Sequence, residues 1–123
     1  MARLAPAFAI LPALAFPAIA SGADFLPVTD KSAFIDLVDG RELRIGLYDL
    51  SLNVTPDGRI AGSALGWEIT GTWTWQDGYF CREMDWSGTA IESNCQLVEA
   101  RGDQELRFTV DRGEGRSARF KLR

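Results

Sequence analysis

The chain of 123 residues is 46% hydrophobic and 24% charged, with a formal net charge of −4 at pH 7. It contains no histidine, which excludes Ser-His and Cys-His catalysis and imidazole metal sites, and its two cysteines are too few for a four-thiolate zinc site. The excess of acidic side chains argues against a nucleic acid as partner.

Residues 1–23 are predicted to form a cleaved signal peptide. Arg3 supplies a positive start, residues 4–19 are apolar, and small residues precede possible cleavage points after Ala20 and after Ala23. The apolar run is short and holds three prolines, so it does not suit a helix that spans about 30 Å of hydrocarbon. We therefore expect export to the periplasm or the medium, with the mature chain free of membrane-spanning segments.

The mature chain, residues 24–123, is predicted to be a single β domain that starts with one short helix. Thr29 or Asp30 is suited to cap this helix, and Gly40 to end it. From residue 42 onward the apolar side chains alternate with polar ones, which is the period of half-buried antiparallel strands. The clearest apolar positions are Trp67, Ile69, Trp73, Trp75, Leu106, Phe108 and Val110.

Turn residues divide this region into seven or eight short strands, each joined to the next by a tight hairpin. The turn signals are Pro56-Asp57-Gly58, Asp77-Gly78, Gly102-Asp103 and Gly113-Glu114-Gly115. An antiparallel meander of this length favours a small up-and-down barrel, because closure removes exposed sheet edges, and a sandwich is the alternative. The helix would then plug one end of the barrel or lie along its wall.

Export gives the two cysteines a structural role. In an oxidising compartment we expect Cys81 to bond Cys95, closing a loop that contributes about 3 kcal/mol of stability. A reactive thiol is the competing interpretation, but it needs a Cys-x-x-Cys partner or a nearby histidine, and the sequence has neither.

The positions of two predicted hairpin turns predict which residues pair across their strands. Around Asp77-Gly78, paired residue numbers that sum to 155 set Trp75 opposite Phe80 and Trp73 opposite Arg82. Around the last turn, a sum of 228 pairs Val110 with Ala118, Phe108 with Phe120 and Leu106 with Leu122.

The predicted disulfide conflicts with the sheet faces on which these registers place the two cysteines. Cys95 and Leu97 are expected on the same face as Phe108, whereas the aromatic strand places Cys81 on the opposite face. A β-bulge within residues 81–85 is predicted to reconcile the two, since a shift of one residue inverts every side chain.

The chain resembles a known group along most of its length. The segments that carry the resemblance are residues 24–31, 73–82, 95–96 and 108–115. They are similar to small exported alphaproteobacterial proteins of uncharacterised function, some of which are catalogued as dihydrodipicolinate reductase. The resemblance implies export, but its motifs are structural and assign no catalytic residue.

The reductase name implies a nicotinamide cofactor, which needs a strand, a Gly-rich turn and a helix. The nearest candidate is the Gly-x-Gly of Gly113-Glu114-Gly115. Alternating apolar residues follow it, so a hairpin turn explains it better than a phosphate-binding turn.

One aromatic segment is the candidate binding face. It comprises Trp73, Trp75, Tyr79, Phe80, Arg82 and Trp86. If these residues point inward they are core, and Arg82 must be satisfied by Glu92 or by stacking on Trp73; if they point outward they form a partner-binding surface. We expect Arg82 to be partly buried near the mouth of the barrel.

The sequence therefore favours a non-enzymatic binding or inhibitor module for an unknown periplasmic protein or small ligand. An enzyme is the alternative, as the reductase name implies. No catalytic, cofactor-binding or metal-binding residue is predicted.

Overall fold

The computed structural model describes residues 24–123, so the predicted signal peptide lies outside the described residues. One α-helix, α1, spans Lys31–Val38, and short 3₁₀ turns occupy Gly46–Tyr48 and Asp111–Gly113. The nine strands are β1 Leu26–Pro27, β2 Leu43–Ile45, β3 Leu50–Val54, β4 Arg59–Ala64, β5 Trp67–Gln76, β6 Tyr79–Trp86, β7 Thr89–Arg101, β8 Glu105–Thr109 and β9 Ser117–Leu122.

Strands β2 to β9 form a closed antiparallel barrel in which each strand pairs with its neighbours in sequence. Pairing of β9 with β2 closes the barrel, through Leu43 opposite Leu122 and Arg44 opposite Lys121. The remaining strand, β1, lies outside the closed barrel order and pairs with the C-terminal end of β7, where Leu26 lies opposite Ala100. The predicted up-and-down barrel with one short helix is therefore confirmed.

Tight turns set this meander because their residues accept left-handed backbone angles. Asp77 and Gly78 both have positive φ, at 52° and 84°, as a two-residue type I′ hairpin requires. The same pattern joins β4 to β5 and β6 to β7. The residues of those two turns are Leu65-Gly66 and Ser87-Gly88.

Helix α1 plugs the barrel at the end formed by the β5–β6 hairpin, which we call the helix end. Phe34 and Val38 are fully buried, one helical turn apart. Asp30 occupies the N-cap position, as predicted, and Gly40 has a φ of 70° just after the helix. The Ser32 hydroxyl donates to the Asp30 carboxylate at 2.6 Å, and this hydrogen bond lowers the pKa of Asp30.

The first predicted register is confirmed, with Trp75 opposite Phe80 and Trp73 opposite Arg82. The second is wrong by two residues, because Phe108 lies opposite Ala118 and Leu106 opposite Phe120.

The error comes from the length of the β8–β9 loop. It is closed by the Val110 amide donating to the Arg116 carbonyl at 3.0 Å, and the 3₁₀ turn lies inside it. A shift of two residues preserves the face of every side chain, so the apolar row of β9 still points inward.

The predicted bulge is present between Arg82 and Met84, where β7 contains one more residue than β6. Cys81 and Cys95 lie directly opposite each other and form the predicted disulfide. The expectation that Cys95 and Leu97 share a face with Phe108 is wrong, so the bulge does not reconcile the two faces: Cys81 and Cys95 pair in the same unbroken register as Phe80 and Gln96. Val98 is the residue paired with Phe108, so Leu97 lies on the outer face with the disulfide.

Candidate functional site

A cavity of about 260 Å³ lies inside the barrel. It runs from the level of Phe80 toward the distal end, which we define as the end opposite α1, where the β8–β9 loop lies. Its walls come from seven strands, all of the barrel except β5, together with residues of the β8–β9 loop, and they are mostly apolar. The lining residues are Leu43, Leu52, Val54, Ile60, Phe80, Arg82, Met84, Gln96, Phe108, Val110, Arg116, Ser117, Ala118 and Phe120.

Four polar side chains interrupt the apolar wall: Arg82 and Gln96 on the neighbouring strands β6 and β7, and Arg116 and Ser117 at the distal end. Arg82 shares the inward row of β6 with Phe80, and Gln96 lies directly opposite Phe80 on β7. Arg82 is half-buried, as predicted, and its Nη1 donates to the backbone carbonyl of Glu92 at 2.6 Å. Burial lowers the pKa of the Arg82 guanidinium, because removing a cation from water disfavours its charged form.

Most of the candidate binding face points inward. Trp73 and Phe80 are buried, and Trp75 and Trp86 are partly buried against the same core. The indole N–H of Trp73 donates to the Thr55 carbonyl at 2.9 Å. These four aromatic side chains therefore form an inner wall, and among them only Phe80 lines the cavity.

Tyr79 is separated from that set because it lies on the outer face. Its ring is 5.5 Å from the guanidinium carbon of Arg112, which belongs to the β8–β9 loop. The six predicted residues thus do not share one surface. Arg82 and Phe80 are the two that the fold brings to the cavity.

The opposite wall of the cavity was not among the predicted site residues. This wall contains Leu52 and Val54 of β3 and Ile60 of β4. It also contains Arg116, which directly precedes β9. The only sequence signal for the apolar residues of this wall was the alternation of apolar and polar side chains along residues 50–54. It assigns side chains to a face, but it does not say which strands meet across a barrel.

An exposed apolar patch lies at the distal end, on the β2–β3 and β4–β5 connections. Leu47 is 82% exposed and Trp67 is 63% exposed, which is unusual for side chains of this size. The Leu65 amide donates to the Tyr48 carbonyl at 3.1 Å and so holds the two connections together. We call these four residues the apolar loop patch: Leu47, Tyr48, Leu65 and Trp67.

The basic side chains of the last strands have structural partners on the outer wall. The guanidinium carbons of Arg101 and Arg107 lie 4.3 and 4.4 Å from the centroid of the Phe25 ring. Arg107 also donates to both carboxylate oxygens of Glu99, at 3.0 and 2.9 Å, which raises the pKa of Arg107. These contacts explain the two arginines as part of the wall rather than of a ligand site.

Within residues 24–123 there is no cluster of three or more histidine, cysteine, aspartate or glutamate side chains able to hold a metal ion. No helix in this part of the chain has the length and apolar character needed to cross a bilayer. No family model, curated protein or solved structure matches the chain.

Proposed function

We propose that the protein is an exported, non-enzymatic binding module that holds a small apolar ligand inside its barrel. The observation that carries the proposal is the cavity of about 260 Å³, because small ligands bind in concave, mostly apolar pockets that carry a few polar groups. The predicted signal peptide and the Cys81–Cys95 disulfide support an oxidising location such as the periplasm.

The cavity volume limits the size of the ligand. Pockets for drug-sized molecules span about 300–1,000 Å³, so this one falls just below that range. Eight-stranded barrels are just wide enough to be filled by side chains or to hold one small ligand. A short aliphatic chain or a single substituted ring fits both limits.

The experiment is native mass spectrometry of the protein purified from its own periplasm, with the disulfide intact. We expect a retained species heavier than the chain that starts at Asp24 by the mass of one short aliphatic chain or one substituted ring, because desolvated apolar walls release ligands slowly. If every molecule retains its ligand, that ligand is expected to resist exchange with added apolar probes. A protein that carries no ligand and also takes up no apolar probe would contradict the proposal.

A second candidate function is the docking of a protein partner on the apolar loop patch. Exposed Trp and Tyr side chains held on adjoining loops are typical of binding hot spots, and the neighbouring exposed Leu side chains extend the apolar patch around them. Asp49 and Glu68 follow the two patch segments directly in sequence, so the complementary partner is a protein with a basic surface. The same mass spectrum distinguishes the two functions, because a retained protein adds kilodaltons.

The enzyme alternative rests on the resemblance to proteins catalogued as dihydrodipicolinate reductase. Gly113 ends a 3₁₀ turn, and strand β9 begins at Ser117 where a dinucleotide-binding turn would start a helix. A titration with nicotinamide cofactors, followed by tryptophan fluorescence, tests the alternative. A saturable micromolar response would favour the enzyme over the binding module.

A further inference from the structure

Arg82 is a partly desolvated cation without a described carboxylate partner. Its contact among residues 24–123 is the hydrogen bond from Nη1 to the Glu92 carbonyl, and none of the ion pairs formed there includes it. Removing a cation from water without a counter-charge is unfavourable. Functional sites are where such a cost is commonly retained.

The neighbours of Arg82 leave it free to meet a ligand. Asn94 lies directly opposite, but its amide is engaged at both ends by Asp111. The Asn94 Nδ2 donates to the Asp111 carboxylate at 2.8 Å, and the Asp111 amide donates to the Asn94 Oδ1 at 2.9 Å. Asp111 is therefore held by Asn94 and forms no ion pair with Arg82 in the described part of the chain.

Gln96 is another polar group on the cavity wall, diagonal to Arg82 across the β6–β7 pair. It is 7% exposed, and its amide makes no hydrogen bond to another side chain or backbone group within residues 24–123. On β7, Gln96 lies two residues beyond the Arg82 pair toward the helix end, whereas the Arg82 guanidinium is bonded to Glu92 on the other side of that pair. Arg82 is therefore the group on this part of the wall that presents a charge to the cavity.

We infer that the ligand of the cavity is a small amphipathic monocarboxylate, whose carboxylate pairs with Arg82 and whose apolar part lies against the walls formed by β3 and β4. The inference rests on the proposed function, since it concerns the same cavity. A planar guanidinium matches a carboxylate with two parallel hydrogen bonds, and one half-buried cation balances one negative charge. Arg116, at the distal end of the lining, adds positive potential for an approaching anion.

The test compares three probes of equal chain length and different head group: octanoate, octan-1-ol and octylammonium. Each is titrated by calorimetry into the disulfide-bonded protein, below its micelle concentration. We expect octanoate to bind at least about tenfold more tightly than octan-1-ol, and octylammonium to bind most weakly. In labelled protein, octanoate is expected to shift the Arg82 side-chain Nε–H resonance.

Two variants assign the preference to Arg82. Arg82→Gln is expected to bring the affinities for octanoate and octan-1-ol within about twofold of each other. Arg59→Gln removes the same charge from an exposed position outside the cavity lining, and we expect it to keep the wild-type preference. The denaturation midpoint of each variant confirms that it folds.

The outcomes separate this inference from the proposed function. Equal affinities for octanoate and octan-1-ol in the wild-type protein would overturn the carboxylate assignment and leave the apolar cavity as a ligand site. Failure of all three probes to bind would overturn both. If Arg82→Gln fails to fold, the wild-type comparison still tests the preference for a carboxylate, and an unshifted Arg82 Nε–H resonance on octanoate binding would overturn the assignment to Arg82.

Discussion

Truncating Phe34 to alanine removes the side chain that joins α1 to the interior of the barrel. Phe34 is fully buried, and its ring centroid lies 5.4 Å from that of Trp73 and 5.1 Å from those of Trp75 and Phe80. Phe108 approaches from the far wall at 6.3 Å. A single side chain thus contacts residues of three different strands.

Large-to-small changes at fully buried phenylalanines cost about 3–5 kcal/mol, because the lost transfer free energy adds to that of the remaining cavity. Four aromatic neighbours, each adding about 0.5–1.5 kcal/mol beyond burial, favour the upper half of that range. We expect Phe34→Ala to lower the free energy of unfolding by about 4 kcal/mol. A domain of this size has only about 5–15 kcal/mol in total.

Urea denaturation with the disulfide intact measures the effect. With an m-value of about 2 kcal/mol/M, the midpoint is expected to fall by about 2 M. Asp36→Ala is the control, because Asp36 is exposed on the same helix and its removal should change stability by less than about 0.5 kcal/mol. A loss below about 1.5 kcal/mol for Phe34→Ala would refute the conclusion that α1 closes the barrel through this ring.

Three further predictions concern the wall and its turns. Reducing the disulfide is expected to add two hydrogens to the intact mass and to cost about 3 kcal/mol, and an unchanged mass would show free thiols. Gly71→Ala is expected to cost more than about 2 kcal/mol, because its Cβ would lie 2.5 Å from the Glu83 carbonyl oxygen. Gly46→Ala, with nothing within 4 Å, should be nearly neutral in the same denaturation series. The Thr55 hydroxyl donates a hydrogen bond to the Asp57 carboxylate, which lowers the pKa of Asp57. The stability that this bond contributes is therefore fully present above the ordinary aspartate pKa, and it is lost as the pH falls through the lowered pKa of Asp57. In an NMR titration Thr55→Val should raise the Asp57 pKa toward its ordinary value, and no change would contradict the assignment.

The local parts of the fold were predictable because short-range chemistry determines them. A two-residue Asp77-Gly78 turn allows one register, and that register correctly placed Trp73 opposite Arg82. The β8–β9 register was not predictable in the same way. Hydrogen bonds within its longer loop, such as that between Val110 and Arg116, decide where pairing resumes.

The site depends on which strands face each other across the barrel. Alternation determined that Phe80 and Arg82 share a face, but both an inward and an outward face satisfied the pattern. Closure of β9 onto β2 decided that the face is internal and brought β3 and β4 opposite it.

The amino-acid sequence by itself determined the strands, most turns, the helix and the cysteine pairing, because each follows from residue type and near neighbours. Only the tertiary structure decided that Arg82 lies on the wall of a cavity and that it forms no ion pair with a carboxylate of residues 24–123. The shape of a cavity and the pairing of a charge within it depend on side chains that are distant in sequence, and no local pattern encodes the distances between them.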